Sequence, residues 1–421
     1  MPIPTTAKRS DADGARGVVE TWALAVAQLV SWGSIYYAFS LFVVPMENAL
    51  GWSRTATNAA LSTGLLTSGL AAYPVGTWID HGHGRRVMVV GTILASAMLA
   101  LWAQAHSLVT LFVVWIGLGG AMAATLYDPV FAVITRDFPT TFRTKITLIT
   151  LVAGFASTVF IPVTQVLIDV FGWRHALLGL AAANLMICLP IHAFAVRRDV
   201  PQSNGLDHKA AVRAANATAT RRALRTPTFW ALAVCFTAYY ATFAALTFHL
   251  VPLMTERRVS AAVIVTTMAV IGPAQVLARV LWFTAGRNVS PSIVGLVITT
   301  AFPASVVILM SAGTSAPLLI LFAVVYGGAN GMMTILRGTI VQDLMWTEGY
   351  GAVSGLLSAP SNIAKGIAPI SAAAIWTLSH DYVPVEWAVL LVGMVSAVAF
   401  GVAVGCAHRA AKGTLSVGRG L

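Results

Sequence analysis

Four ionisable side chains fall inside long apolar stretches of this chain: Asp128, Arg279, Arg337 and Lys365. A charge at the centre of a membrane helix costs roughly 2.5–3.5 kcal/mol on insertion scales, so such groups face a cavity or a partner. Three are basic and one is acidic, a balance that favours a bound anion. Lys365 lies about 16 Å along its apolar run, near the midplane, where neither end is within easy reach. Its polar neighbours are Ser361 and Asn362. Arg279 lies about 9 Å inside its run, with Gln275 one turn away on the same face. Tyrosines are the other candidate contacts: Tyr36 and Tyr37 beside Trp32, and Tyr239 and Tyr240 near Phe243. Their hydroxyls donate hydrogen bonds to a carboxylate while the rings form an apolar wall. The structural alternative for each is ordinary: a Lys paired with a polar neighbour, an Arg snorkelling outward, or rings packed in a core. No nucleophile–base pair, phosphate-binding glycine loop or metal-ligand spacing is visible. The expectation is therefore reversible binding with no cofactor and no metal, and no enzyme activity.

The elements that hold these residues are membrane helices. Of 421 residues, 57% are hydrophobic and 10% charged, against about 25% charged in soluble domains. Mean hydropathy is +0.80. Twelve continuous apolar runs are long enough to span a bilayer. They lie near 22–45, 55–79, 86–104, 108–135, 145–168, 174–196, 228–252, 261–285, 292–312, 316–341, 352–378 and 385–407. A strand barrel would instead alternate over about ten residues. The predicted fold is an all-α membrane protein of twelve transmembrane helices in two six-helix repeats.

The net charge of +11 and a pI of about 10 raise nucleic acid as a partner. The distribution argues against it, because the basic residues lie in short gaps between apolar runs and not on one dense face. Four fall in the loops on the side opposite the termini (Arg54, Arg174, Arg257, Arg258) and three within helices. The other 19 of 26 lie on the side of the two termini. By the positive-inside rule that side is cytoplasmic. The reading is a multi-pass protein of the cytoplasmic (inner) membrane, without a cleavable signal peptide. Cys188, Cys235 and Cys406 sit in apolar runs and read as small core residues.

One long polar stretch, 197–226, divides the chain. The expected organisation is a tail at 1–21, a six-helix bundle at 22–196, the linker at 197–226, a second bundle at 227–407 and a tail at 408–421. The linker reads as solvated chain, with a lipid-headgroup or regulatory contact as the alternative. The halves resemble each other: Gly119-Gly120-Ala121 matches Gly327-Gly328-Ala329, Pro162 matches Pro369, Gly84-Arg85 matches Gly286-Arg287, and Tyr36-Tyr37-Ala38 matches Tyr239-Tyr240-Ala241. A duplicated six-helix unit implies a binding site between the repeats and alternating access to it. The repeat offset maps Asp128 to Leu336, next to Arg337, so the two occupy almost equivalent places; one reading is a gate between the halves with Asp128 a candidate proton carrier, the other that each caps its own helix end. His249 is a further titrating candidate, read as structural.

The segment Gly76-Thr-Trp-Ile-Asp80-His-Gly-His-Gly84-Arg85-Arg86, between helices two and three, resembles the cytoplasmic signature of the major facilitator superfamily. His81 stands where that family usually carries Arg or Lys. The resemblance covers about 22–407 and implies that Asp80, Arg85 and Arg86 latch the cytoplasmic side during transport. Topology enforcement by Arg85 and Arg86 alone is the rival reading. Within the superfamily, Arg279 in helix eight and Lys365 in helix eleven make the chain most similar to the monocarboxylate porter and oxalate–formate antiporter-like branch. Gly154 and Pro162 resemble, in degenerate form, the helix-five pattern of antiporters.

Together these readings lead to a monomeric secondary transporter of small organic anions, monocarboxylates first, coupled to protons or to a counter-substrate. The alternative is a proton-driven exporter of hydrophobic or cationic compounds, which needs Asp128 at the binding site.

Overall fold

The computed structural model describes residues 7–196, 206–285, 289–346 and 349–417. The helices follow from the apolar runs, because backbone donors and acceptors in a bilayer must be satisfied within the chain. The first pass is α1 (Ala7–Ser31), a π-helical turn (Trp32–Tyr37) and α2 (Phe39–Leu50). The second is α3 (Arg54–Trp78), followed by a turn at Ile79–His83 and by α4 (Gly84–Ala103) as the third. The fourth pass is broken into α5 (Leu108–Thr125) and α6 (Tyr127–Asp137) by an extended Leu126. The fifth is α7 (Phe142–Ala153) and the start of α8 (Ala156–Ala183). The rest of α8, a π turn (Asn184–Cys188) and α9 (Leu189–Phe194) make the sixth.

After α10 (Leu206–Leu224) the second half runs through α11 (Pro227–Glu256), α12 (Ala261–Ala285), α13 (Pro291–Ala312), α14 (Ala316–Leu344), α15 (Tyr350–Ser379) and α16 (Val383–Val417).

Among the described residues, nine continuous helical stretches are long and apolar enough to cross a membrane. Two of them, of 49 and 53 residues, are double length. In each a glycine with positive φ, Gly82 (89°) or Gly172 (77°), turns the chain back. Glycine is suited to that conformation because it has no Cβ to clash. The remaining pass is α15, whose middle carries Pro360, Asn362, Lys365 and Pro369 and so lowers its hydropathy. The arrangement accords with twelve passes and with both termini at one end, called here the terminal end.

The boundaries differ from the expected ones at three places. α1 begins at Ala7, within the expected tail, and α16 continues to Val417. The expected linker is helical over its described part, since α10 buries Asn216, Ala219 and Ala223 on one face. Residues 197–205 of the linker and Gly286-Arg287 of the repeat lie outside the described residues.

The halves meet mainly through α3 against α15. Glycines allow this close crossing: a Cβ on Gly76 would overlap the Gly351 carbonyl, and one on Gly355 the Ala72 carbonyl. Near the terminal end, α7 also packs on α12 and α14. Its continuation α8 packs within its own half and exposes Phe155, Val159, Val163 and Val166. Along the α7–α8 seam the halves therefore touch at the terminal end and part toward the other, while α3 and α15 stay in contact as far as Ser62 and Gly366.

Candidate functional site

A cavity of about 290 Å³ lies between the halves. Its floor, toward the terminal end, is built from the break in the fourth pass. Leu126 leaves the helix (φ −80°, ψ −155°), and Thr125 O, freed of its helical partner, accepts a hydrogen bond from Gln28 Nε2. The chain resumes as α6 with Asp128 in the first turn, where the exposed N–H groups favour a carboxylate. From the other half Arg337 Nη2 reaches Asp128 Oδ1 at 3.1 Å. Ser358 Oγ donates to Asp128 Oδ2 at 2.8 Å and also accepts from Arg337. The expected approach of Asp128 and Arg337 is thus a three-member cluster spanning both halves. Ser358 lies seven residues before Lys365 on the same helix face. The polar stripe Ser354, Ser358, Ser361, Asn362, Lys365 is the sequence signal that marks it.

Arg279 is 3% exposed and spans the halves in a different way. Its Nε donates to Gly331 O at 3.0 Å in its own half, and its Nη1 to Thr150 O at 3.1 Å in the other. Gly154, at the junction of α7 and α8, makes room for the guanidinium, since a Cβ there would overlap Arg279 Nη1. Both carbonyls are neutral, so the charge of Arg279 meets no carboxylate. Gln275 lines the same cavity one turn away.

Lys365 stands in the cavity wall, about 22 Å from the start of α15 at Tyr350. Its Nζ donates to Asn362 Oδ1 at 3.2 Å and lies 4.0 Å from the centroid of the Tyr240 ring. Arg337 Cζ is 5.3 Å from that same ring. One aromatic ring thus lies within cation–π distance of two cations, which it attracts through its quadrupole.

Tyr36 and Tyr37 both line the cavity with Trp32. In an α-helix two adjacent residues diverge by about 100°. Here the turn is π-helical, and its i to i+5 bonding lets residues four and five positions on both sit by Trp32. The ring centroids lie 5.3 and 6.1 Å from Trp32. Gly33 permits the turn to pack tightly on Phe160.

Tyr239 departs from expectation. It is fully buried in the second half, 4.7 Å from Phe302 between ring centroids, and does not line the cavity. The reason is helical periodicity: α11 is regular here, so Tyr240 on the cavity side turns Tyr239 into the bundle. Its hydroxyl is buried without a hydrogen-bond partner among the described residues. Sequence reasoning also passed over Tyr127, Asn330 and Thr334, which line the cavity. Tyr127 precedes Asp128, which is its only sequence signal.

The signature segment lies at the terminal end. Asp80 Oδ1 accepts from the backbone N–H of Gly351 at 3.0 Å, and Oδ2 from that of Ala352 at 2.8 Å. These are the first-turn donors of α15, so a carboxylate of one half caps a helix of the other. Arg143 pairs with Asp343 nearby, and a 2.7 Å hydrogen bond joins Thr135 Oγ1 to the amide of Gln342. Arg85 is half-buried and Arg86 exposed; neither takes part in those cross-half contacts. Arg136, from α6, is the basic residue that holds the turn, donating to Ile79 O at 2.9 Å. α10 packs against the same corner: Asn216 and Ala219 approach Gly349, and Arg222 lies 4.2 Å above the Trp346 ring. His249 sits near the other end, bonded to Tyr382 Oη at 3.1 Å and Pro369 O at 3.0 Å.

The cavity exposes Ser40, Thr247 and Phe248 toward the end opposite the termini, and its floor is closed by the cross-half cluster. Such an arrangement can bind a small solute from one side only.

Comparison with solved structures finds the same architecture. The proton:xylose symporter XylE, bound to 6-bromo-6-deoxy-D-glucose, superposes with a TM-score of 0.69 at 10% identity, over 92% of this chain and 95% of its own. The human organic anion transporter MFSD10 (TETRAN) gives 0.67 at 15% identity, over 92% and 99%. FucP in its outward conformation gives 0.67 at 14%, over 92% and 97%. At these identities the likeness concerns the fold alone. Among curated proteins, monocarboxylate transporter 11 of Mus musculus is 33% identical over 170 residues, 39% of this chain and 37% of that protein. The Homo sapiens protein of the same name is 31% identical over 191 residues, 44% of this chain and 40% of its own. The chain thus aligns with about two fifths of the length of those relatives. The model of the Major Facilitator Superfamily matches residues 24–369. With that match over most of its length, and with the fold of the superfamily's transporters around a cavity between two halves, the chain belongs to the Major Facilitator Superfamily of membrane transporters.

Proposed function

We propose that this chain is a secondary active transporter of small organic anions, monocarboxylates first among them, working by alternating access in the cytoplasmic membrane with its termini in the cytoplasm. The observation that carries this reading is the charge of the cavity. Among the described residues, Lys365, Arg279 and Arg337 line it against a single carboxylate, Asp128, which is already engaged by Arg337 and Ser358. Among the described residues, Lys365 has only an amide oxygen and a ring face as partners. A carboxylate supplied by the substrate offsets the desolvation of that charge. The partial similarity to monocarboxylate transporters 11 supports the same class. The engagement of Asp128 also weighs against the rival exporter of cations, which needs a free acidic group.

In this reading the substrate enters from the outer side while the Asp80 cap and the Asp128–Arg337–Ser358 cluster hold the cytoplasmic side closed. Binding at Lys365 draws on the same cations that hold the floor, so occupancy loosens Arg337 from Asp128. Asp128 is then free to take up a proton and return one, which would couple transport to the proton gradient. A counter-substrate anion does the same work in an exchange cycle. The test is uptake of labelled monocarboxylates into proteoliposomes holding the purified chain. Lys365→Ala abolishes uptake while the protein stays folded by thermal-shift assay. Wild-type rates in Lys365→Ala remove the anion reading.

A further inference from the structure

The two walls of the cavity differ in chemistry. The first half supplies rings: Trp32, Tyr36 and Tyr37 from the π turn, and Tyr127 and Phe131 from α6. The rings form one connected surface. Trp32 lies 4.9 Å from Tyr127 between centroids, and Tyr127 stacks on Phe131 at 5.3 Å and 16°. The second half supplies the cations described above, the amides of Gln275, Asn330 and Asn362, and rings of its own from Tyr240, Phe243 and Phe248. A short hydrophilic acid such as lactate would use the cationic wall and leave the aromatic one wet. A solute with a charge at one end and a flat apolar body at the other would use both. The volume of about 290 Å³ is at the small end for ligand sites, enough for a single ring and its acid group.

We infer that the preferred substrates of this site are single-ring aromatic monocarboxylates, of the benzoate and phenylacetate kind, bound with the carboxylate on Lys365 and the ring on the Trp32–Tyr36–Tyr37 wall. The inference rests on the anion reading above and narrows it. Arg279 lines the same cavity; its Nε and Nη1 are taken by carbonyls and its Nη2 makes no hydrogen bond among the described residues. The ring gains face and edge contacts with the wall, beyond the gain from leaving water. The π turn is what lets Trp32, Tyr36 and Tyr37 all face the cavity from one helix, so the selectivity is built into the backbone of the first pass.

The test compares labelled lactate and labelled phenylacetate in proteoliposomes of the full chain. Phenylacetate is expected to show a KM about tenfold lower than lactate, the scale of one or two aromatic contacts. Trp32→Leu is expected to bring that ratio toward one, and Lys365→Ala to end uptake of both acids. Inhibition of the wild-type protein by a series of unlabelled compounds makes the test independent of any variant's folding. Phenylacetate should inhibit better than cyclohexylacetate or hexanoate, and phenylacetamide should not inhibit. Equal or better transport of lactate, with the ratio unmoved by Trp32→Leu, overturns the inference and leaves the anion reading standing. Inhibition by phenylacetamide as strong as by phenylacetate overturns it through the loss of the charge requirement. Failure to move either acid overturns the inference and the anion reading together.

Discussion

The guanidinium of Arg279 rests on the bare Cα of Gly154, one residue from each half of the molecule. The Thr150 carbonyl beside it accepts two hydrogen bonds, from Gly154 N at 2.9 Å within its own helix and from Arg279 Nη1 at 3.1 Å across the interface. The junction of α7 and α8 is thus fitted to a side chain of the opposite half.

Gly154→Ala is expected to displace Arg279 from Thr150. Inserting a methyl group into a packed site costs about 1–3 kcal/mol, and the guanidinium has little room because it is nearly fully buried. Transport should fall by an order of magnitude or more while membrane insertion persists. Uptake assays and thermal shift on the purified variant check this, and Gly154→Val should be worse on both.

Asp80→Asn tests the cap on α15. The carboxylate accepts from two backbone donors, Gly351 and Ala352. An amide keeps one acceptor and sets an NH2 group against the other donor. Hydrogen bonds to a charged group are worth about 1.5–3 kcal/mol, so the closed terminal end should lose population by roughly 10- to 150-fold relative to the open one. Spin-label distances or cysteine accessibility at the two ends would report the shift. An unchanged distribution would show that the cap is not what holds this end shut.

Asp128→Asn leaves Arg337 without its counter-charge. Removing one member of a buried pair costs about 3–5 kcal/mol, less here because Asp128 is 28% exposed. Asp128→Asn with Arg337→Gln should recover part of the lost thermal stability, since neither charge is then stranded. Uptake in the single variant should also lose its dependence on external pH. Retention of the wild-type pH profile would sink the proton-carrier role while leaving the pairing intact.

Tyr239→Phe removes a hydroxyl that is buried with no partner among the described residues, in a residue that does not reach the cavity. An unsatisfied buried polar group is a cost, so the variant should melt at the same temperature as the parent or higher, with unchanged uptake. Tyr240→Leu, one residue on, should impair uptake, because the Tyr240 ring lies against both Lys365 and Arg337. Thermal shift and uptake run side by side separate the neighbours.

The long apolar runs were legible without a structure, because a bilayer forces each backbone group to bond within its own helix. So were the rare charges, since a Lys or Asp in hydrocarbon stands out against its neighbours. The repeat offset put Asp128 and Arg337 at almost equivalent places of the two halves, with a gate and two separate helix caps both open; the structure shows the contact. The offset could not find Ser358, an unremarkable residue that matters only because both of those charges reach it. It also treated Tyr239 and Tyr240 as a pair equivalent to Tyr36 and Tyr37.

That last difference marks the boundary between the two kinds of information. Composition and periodicity determine that a segment is helical, that it crosses a membrane and which residues are costly to bury. Tertiary structure decided that the first pass widens into a π turn while α11 stays regular, so one tyrosine pair faces the cavity together and the other divides. It also decided that Arg279 is held by carbonyls on both sides of the interface, leaving Lys365 the less restrained cation. The physical reason is that such outcomes depend on close contacts between distant segments, Gly33 on Phe160 and Gly154 on Arg279, where the presence or absence of one Cβ sets the geometry.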